Sequence, residues 1–116
     1  MSDFVWSIKN GDLEKVKECV EISKCDVNSE VDGRYPIHFA SDYGQLSVIE
    51  YLISKGAKVD VNDKHGISPL LAAIWEGHTE CVKLLIEKGA KKDGKAPDGQ
   101  SYAACAEKDD IKALLR

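Results

Sequence analysis

His38, His65 and His78, with Cys19, Cys25, Cys81 and Cys105, are the side chains of this chain best suited to holding a metal or attacking an electrophile. Neither chemistry finds the pattern it needs. A protein metal site usually draws paired ligands from one turn, as in C-x-x-C or H-E-x-x-H, and neither pattern occurs. A nucleophilic Cys or Ser needs an adjacent base and an oxyanion site, yet the four cysteines are scattered along the chain. The glycines do not cluster before a lysine that opens a helix, so they are not a phosphate cradle. The expectation is therefore a protein without catalytic, cofactor-binding or metal-binding residues, and not an enzyme. Cys81 and Cys105 read as small core residues. Cys19 and Cys25 flank the end of a helix, where packing or simple exposure competes with a thiol-based redox or metal role.

The elements that position these residues follow from an internal repeat. The stretch Asp32-Gly33-Arg34-Tyr35-Pro36-Ile37-His38-Phe39-Ala40 through Gly56-Ala57 returns 33 residues later as His65-Gly66-Ile67-Ser68-Pro69-Leu70-Leu71-Ala72-Ala73 through Gly89-Ala90. That period is the signature of ankyrin repeats. Each unit reads as turn, helix, short turn, helix, loop. Ser68 caps an inner helix and Pro69 occupies its first position, where a missing N–H costs nothing. Gly77 ends that helix in the left-handed conformation it tolerates. The outer helix starts near Thr79 and turns Val82, Leu85 and Ile86 to one side before Gly89. The second unit repeats this with Pro36, Gly44, Val48, Ile49, Leu52 and Gly56. Upstream, Phe4 to Asn10 and Leu13 to about Ile22 form a degraded first pair; downstream, Tyr102 replaces the proline of a short last one. The expected architecture is an all-α ankyrin-repeat solenoid, a single domain over 1–116 with repeats near 1–29, 30–62, 63–95 and 96–116. Two full central repeats are flanked by two truncated capping repeats. In this frame His38 and His78 bond backbone groups of turns, while His65 lies at a turn tip.

Composition narrows the partners. The longest apolar run, Leu70 to Trp75, is far short of a membrane span, and Met1-Ser2-Asp3 does not open a secretory leader. A formal charge of −4 argues against nucleic acid and anionic membranes, which require a dense basic face. Reduced cysteines in a cytoplasmic or nuclear setting are expected.

A stack of repeats offers its turn tips and the free face of its inner helices to a macromolecular partner. The pairs Asp42-Tyr43 and Trp75-Glu76 each set an aromatic beside a carboxylate just before a helix-ending glycine. Aromatics anchor interfaces through large buried area, while charges steer encounter. Trp6 extends the same face in the first repeat.

With these residues laid out, the chain resembles the myotrophin family of small ankyrin-repeat proteins from end to end. The resemblance rests on Trp6 with Lys9-Asn10-Gly11-Asp12-Leu13, Gly44-Gln45-Leu46, Asp63-Lys64-His65, Glu76-Gly77-His78 with Cys81-Val82-Lys83-Leu84-Leu85, and Pro97-Asp98-Gly99 with Ile111-Lys112-Ala113-Leu114-Leu115. It implies a monomeric cytoplasmic regulator, found also in the nucleus, that binds the heterodimeric actin capping protein and inhibits barbed-end capping. It further implies an association with Rel-type transcription factors, and such regulation through the same face is the alternative function. The contact residues expected are Trp6, Arg34, Tyr35, Asp42, Tyr43, Lys64, His65, Trp75 and Glu76.

Overall fold

The computed structural model describes residues 3–116; Met1 and Ser2, part of the stretch read as unlike a leader, lie outside them. Among the described residues, eight helices form four hairpins: α1 (Asp3–Asn10) with α2 (Leu13–Glu21), α3 (Pro36–Asp42) with α4 (Leu46–Ser54), α5 (Pro69–Glu76) with α6 (Thr79–Glu87), and α7 (Tyr102–Cys105) with α8 (Asp109–Leu114). The inner helices α1, α3, α5 and α7 stack in one row and α2, α4, α6 and α8 in a second, giving a body of 41 × 25 × 21 Å.

Local chemistry sets the boundaries. Ser68 Oγ accepts the Leu71 N–H at 3.1 Å and Ser101 Oγ accepts the Ala104 N–H at 3.1 Å, each satisfying an orphan donor of a first turn. Pro36 and Pro69 open α3 and α5, and α5 closes on Gly77 at φ 72°. Gly44 has a second reason to lack a side chain. Its φ is 67°, and a Cβ there would stand 2.5 Å from His78 Nδ1 of the next repeat.

The core runs unbroken through the stack. Ile8, Ile37, Leu70, Leu71 and Ile74 of the inner row meet Val16, Val48, Ile49, Leu52, Leu85 and Ile111 of the outer row, all buried. Each such Leu or Ile contributes roughly 1.5–3 kcal/mol on burial. Ala40 and Ala73, fully buried, let neighbouring inner helices approach closely.

Side chains just past each inner helix tie one repeat to the one before it. Gln45 Nε2 donates to Lys9 O at 2.8 Å, His78 Nε2–H to Asp42 O at 2.9 Å, and Lys108 Nζ to Gly77 O at 2.7 Å. His38 bonds turn backbone as expected: its Nδ1 accepts the Tyr35 N–H at 3.1 Å and its Nε2–H donates to Ile67 O at 2.8 Å.

The fourth unit explains its missing proline. Tyr102 uses the N–H that a proline would lack, donating to Gly94 O at 3.1 Å, and its buried hydroxyl meets Ser68 Oγ at 2.7 Å. Cys81 is buried in the core, and Cys105 packs against the core while staying partly exposed. It closes a helix of four residues in the last inner position of the stack.

Candidate partner-binding face

The last turns of α1, α3 and α5 place side chains in register. Counting by 33, Lys9, Asp42 and Trp75 share one position, and Asn10, Tyr43 and Glu76 the next. Aromatic and acid therefore exchange places between the second and third repeats. Trp6, Tyr43 and Trp75 are 49%, 52% and 47% exposed, so half of each ring is free to cover a partner. The buried halves are held in place. Lys15 Nζ lies 5.8 Å from the Trp6 ring centroid, and Lys9 Nζ lies 5.4 Å from Phe39 and 5.7 Å from Tyr43. The short helix α7 of the next repeat packs against α5, which carries Trp75. Asp42, Tyr43, Glu76 and His78 line an open groove between the ends of α3 and α5.

Behind this groove a charged network fixes the tips. Arg34 pairs with Asp42 through Nη1 and with Asp63 through Nε, the latter at 3.1 Å, and its guanidinium lies 5.3 Å from the Phe39 ring centroid. Burial works against the guanidinium's charge, but the hydrogen bonds and charges of Asp42 and then Asp63 outweigh it and raise its pKa. The Asp63 side chain is wholly buried. Its Oδ1 accepts the N–H groups of His65 at 2.8 Å and Ile67 at 3.0 Å. Burial pushes its pKa up, yet these bonds, with His38 and Arg34, hold it below the ordinary carboxylate value. For His38 burial is the largest effect and lowers the imidazole pKa, which keeps the ring neutral and able to accept the Tyr35 N–H.

The tips differ in build. Asp32 and Gly33 sit at φ 54° and 79° between paired Val31 and Arg34, a two-residue type I′ turn. The third-repeat tip is longer, with Asp63 and Ile67 closing it and Gly66 at φ 78°. Lys64 crosses to the neighbouring tip, its N–H donating to Gly33 O at 2.9 Å.

Of the nine expected contact residues, Asp42, Tyr43 and Glu76 line the groove, and Trp75 stands on the last turn of α5 beside it. Lys64 and His65 are exposed at a tip. Tyr35 is half-buried against His38, with ring centroids 5.9 Å apart, and Arg34 is drawn inward by its two carboxylates. Trp6 lies two repeats from Trp75 along the inner row. The expected contact set left out Lys9 and His78, which the structure brings to the same face. The shared register of Lys9 with Asp42 and Trp75 was the available signal for the first. No group of three or more His, Cys, Asp or Glu side chains among the described residues could hold a metal ion. Nor is any described helix long and apolar enough to cross a membrane.

A stack of this kind, with an open aromatic and acidic face, is a protein-binding module, and a family model of ankyrin repeats in three copies matches residues 4–96. The chain is 53% identical to myotrophin of Xenopus tropicalis over 114 residues, 97% of this chain and 96% of that protein. It is 41% identical over 91 residues to 26S proteasome non-ATPase regulatory subunit 10 of Dictyostelium discoideum, where the match spans 76% of this chain and 39% of the relative. Against protein phosphatase 1 regulatory subunit 27 of Mus musculus it is 30% identical over 97 residues, 83% of this chain and 63% of that protein. The chain belongs to the ankyrin-repeat proteins and, among them, to the myotrophin family.

Proposed function

We propose that this chain binds the heterodimeric actin capping protein and keeps it from filament barbed ends by occupying the surface with which it docks. The end-to-end match to myotrophin carries this reading, since it includes the degenerate first and last units that generic ankyrin repeats do not share. The face is suited to it. Half-exposed Trp75 and Tyr43 supply area for anchoring, and exposed Glu76 complements the basic surface that a protein needs to dock on an acidic filament. Trp6, Arg34, Tyr35, Asp42, Lys64 and His65 complete the proposed contact set. The chain acts as a monomer in the cytoplasm and performs no catalysis; it works by stoichiometric occupancy.

Elongation of pyrene-actin from filament seeds, with capping protein present and this chain titrated in, tests the proposal. Growth restored in proportion to added chain supports it. Capping that persists at a large molar excess overturns it. Co-precipitation of the chain with a Rel dimer and not with capping protein would move the same face to the alternative partner.

A further inference from the structure

We propose that Cys19 and Cys25 form a reversible disulfide that staples the end of the first outer helix to the loop after it. The reasoning starts with how the chain leaves α2. The outer helices of the second and third repeats end at Gly56 and Gly89, both with positive φ. The first repeat has Ser23 at the matching place, and its chain reverses instead at Lys24, a non-glycine residue at φ 61°. Ile22 and Ser23 both donate to Glu18 O, and Cys25 N–H then donates back to Cys19 O at 2.8 Å. Adding the covalent bonds on either side of that contact keeps the two Cα atoms within about 7 Å, the span that disulfides bridge.

The side chains follow the backbone. Both residues are partly exposed, so an oxidant in solution can reach them. Burial raises the Cys19 pKa, with Cys25 as the next contribution, which suits Cys19 to resolve an intermediate rather than to attack first. The oxidant is a hydroperoxide. The Cys25 thiolate attacks the distal peroxide oxygen, breaking the O–O bond and forming a sulfenic acid as the peroxide leaves as an alcohol or, from hydrogen peroxide, as water. The Cys19 thiol then displaces water from that sulfenic sulfur, forming the S–S bond. The two thiols lose two hydrogens and two electrons together, and the peroxide is reduced. Three residues on, Asn28 bonds Gly56 O at 3.0 Å and the Lys58 N–H at 2.9 Å, so the staple holds a loop already anchored to the second repeat.

Trypsin makes the test direct, because cleavage after Lys17, Lys24 and Arg34 places the cysteines on separate peptides, 18–24 and 25–34. Reduced full-length chain is treated with hydrogen peroxide, alkylated, digested without reductant and mapped by mass. The expected result is a linked 18–24/25–34 pair about 2 Da lighter than the sum of its thiol forms, returned to separate peptides by dithiothreitol. In Cys25→Ser, peptide 18–24 is expected to stay unlinked. Both peptides recovered separately and alkylated from peroxide-treated wild type, or linked only between two chains, overturns the proposal.

Discussion

Replacing Asp63 by asparagine probes the network behind the groove, and the structure sets the size of the effect. Asparagine keeps an oxygen for the His65 and Ile67 N–H groups but turns an NH2 group toward Arg34 Nε, where Asp63 Oδ2 now accepts at 3.1 Å. One charge-assisted hydrogen bond, worth about 1.5–3 kcal/mol, is lost, and two donors are set against each other. Arg34 keeps Asp42 and some solvent, so the larger cost of an orphaned buried charge is not reached. Asp63→Asn is expected to lower stability by about 2–3 kcal/mol at pH 7, a shift of about 1–2 M in urea midpoint. Asp63→Ala, which also strands the two backbone donors, is expected to cost more. The pH dependence supplies a second check. The folded pKa of Asp63 lies below its ordinary value, so the folded state resists protonation. Its stabilisation is complete above the ordinary carboxylate range and disappears as pH falls through the folded pKa. The gap between wild type and Asp63→Asn must therefore close in acid. Equal urea midpoints at pH 7, or a gap that fails to narrow as pH falls below the ordinary carboxylate range, would refute the account.

Other expectations follow from the same geometry. Glu76→Lys, at an exposed residue outside every ion pair among the described residues, is expected to change stability by less than about 0.5 kcal/mol and to weaken capping-protein binding by about 10- to 100-fold; calorimetric titration decides. Gly44→Ala, forced into a positive φ and against the His78 ring, is expected to cost about 1–3 kcal/mol in chemical denaturation. The His38 imidazole, whose pKa burial lowers, is expected to take up its proton below the ordinary histidine range when followed by NMR. Because its folded pKa is depressed, His38 contributes stability above the ordinary histidine range, and that contribution falls away as pH drops toward the folded pKa.

The helix frame was legible because its determinants are local. A serine before a proline starts α5, and the glycines at 11, 44 and 77 take positive φ at the ends of inner helices, wherever the stack places them. The tips were harder. Asp63 lies in a polar stretch that reads as outward, yet an acid followed by Lys-His-Gly is also the residue that can gather turn N–H groups on its own carboxylate. What draws it inward is Arg34, 29 residues earlier, and no spacing within one repeat reports that partner. The second tip has no counterpart to Asp63, since its two-residue turn at Asp32-Gly33 needs no internal acceptor and Arg34 leaves it to bridge to the next.

The aromatics show the same division between local and stacked information. Sequence put Tyr43 and Trp75 in the last turn of neighbouring inner helices, but exposure depends on what the adjoining repeat lays over each ring. Lys9 reaches the Phe39 and Tyr43 rings from the repeat before, while the four-residue helix α7 packs against α5, which carries Trp75, from the repeat after. The rings are thus oriented by flexible or small neighbours that leave half of each surface open. Arg34, by contrast, spends its charge internally and stiffens the floor from which Asp42 and Tyr43 project. Under the proposed function, recognition in this stack divides by position: the acid at Glu76 and the two open rings would meet the partner, and the Arg34–Asp63 pair would set the angle at which they do so. On that division Asp63→Asn loosens the face without removing a contact, and Glu76→Lys removes a contact without loosening the face.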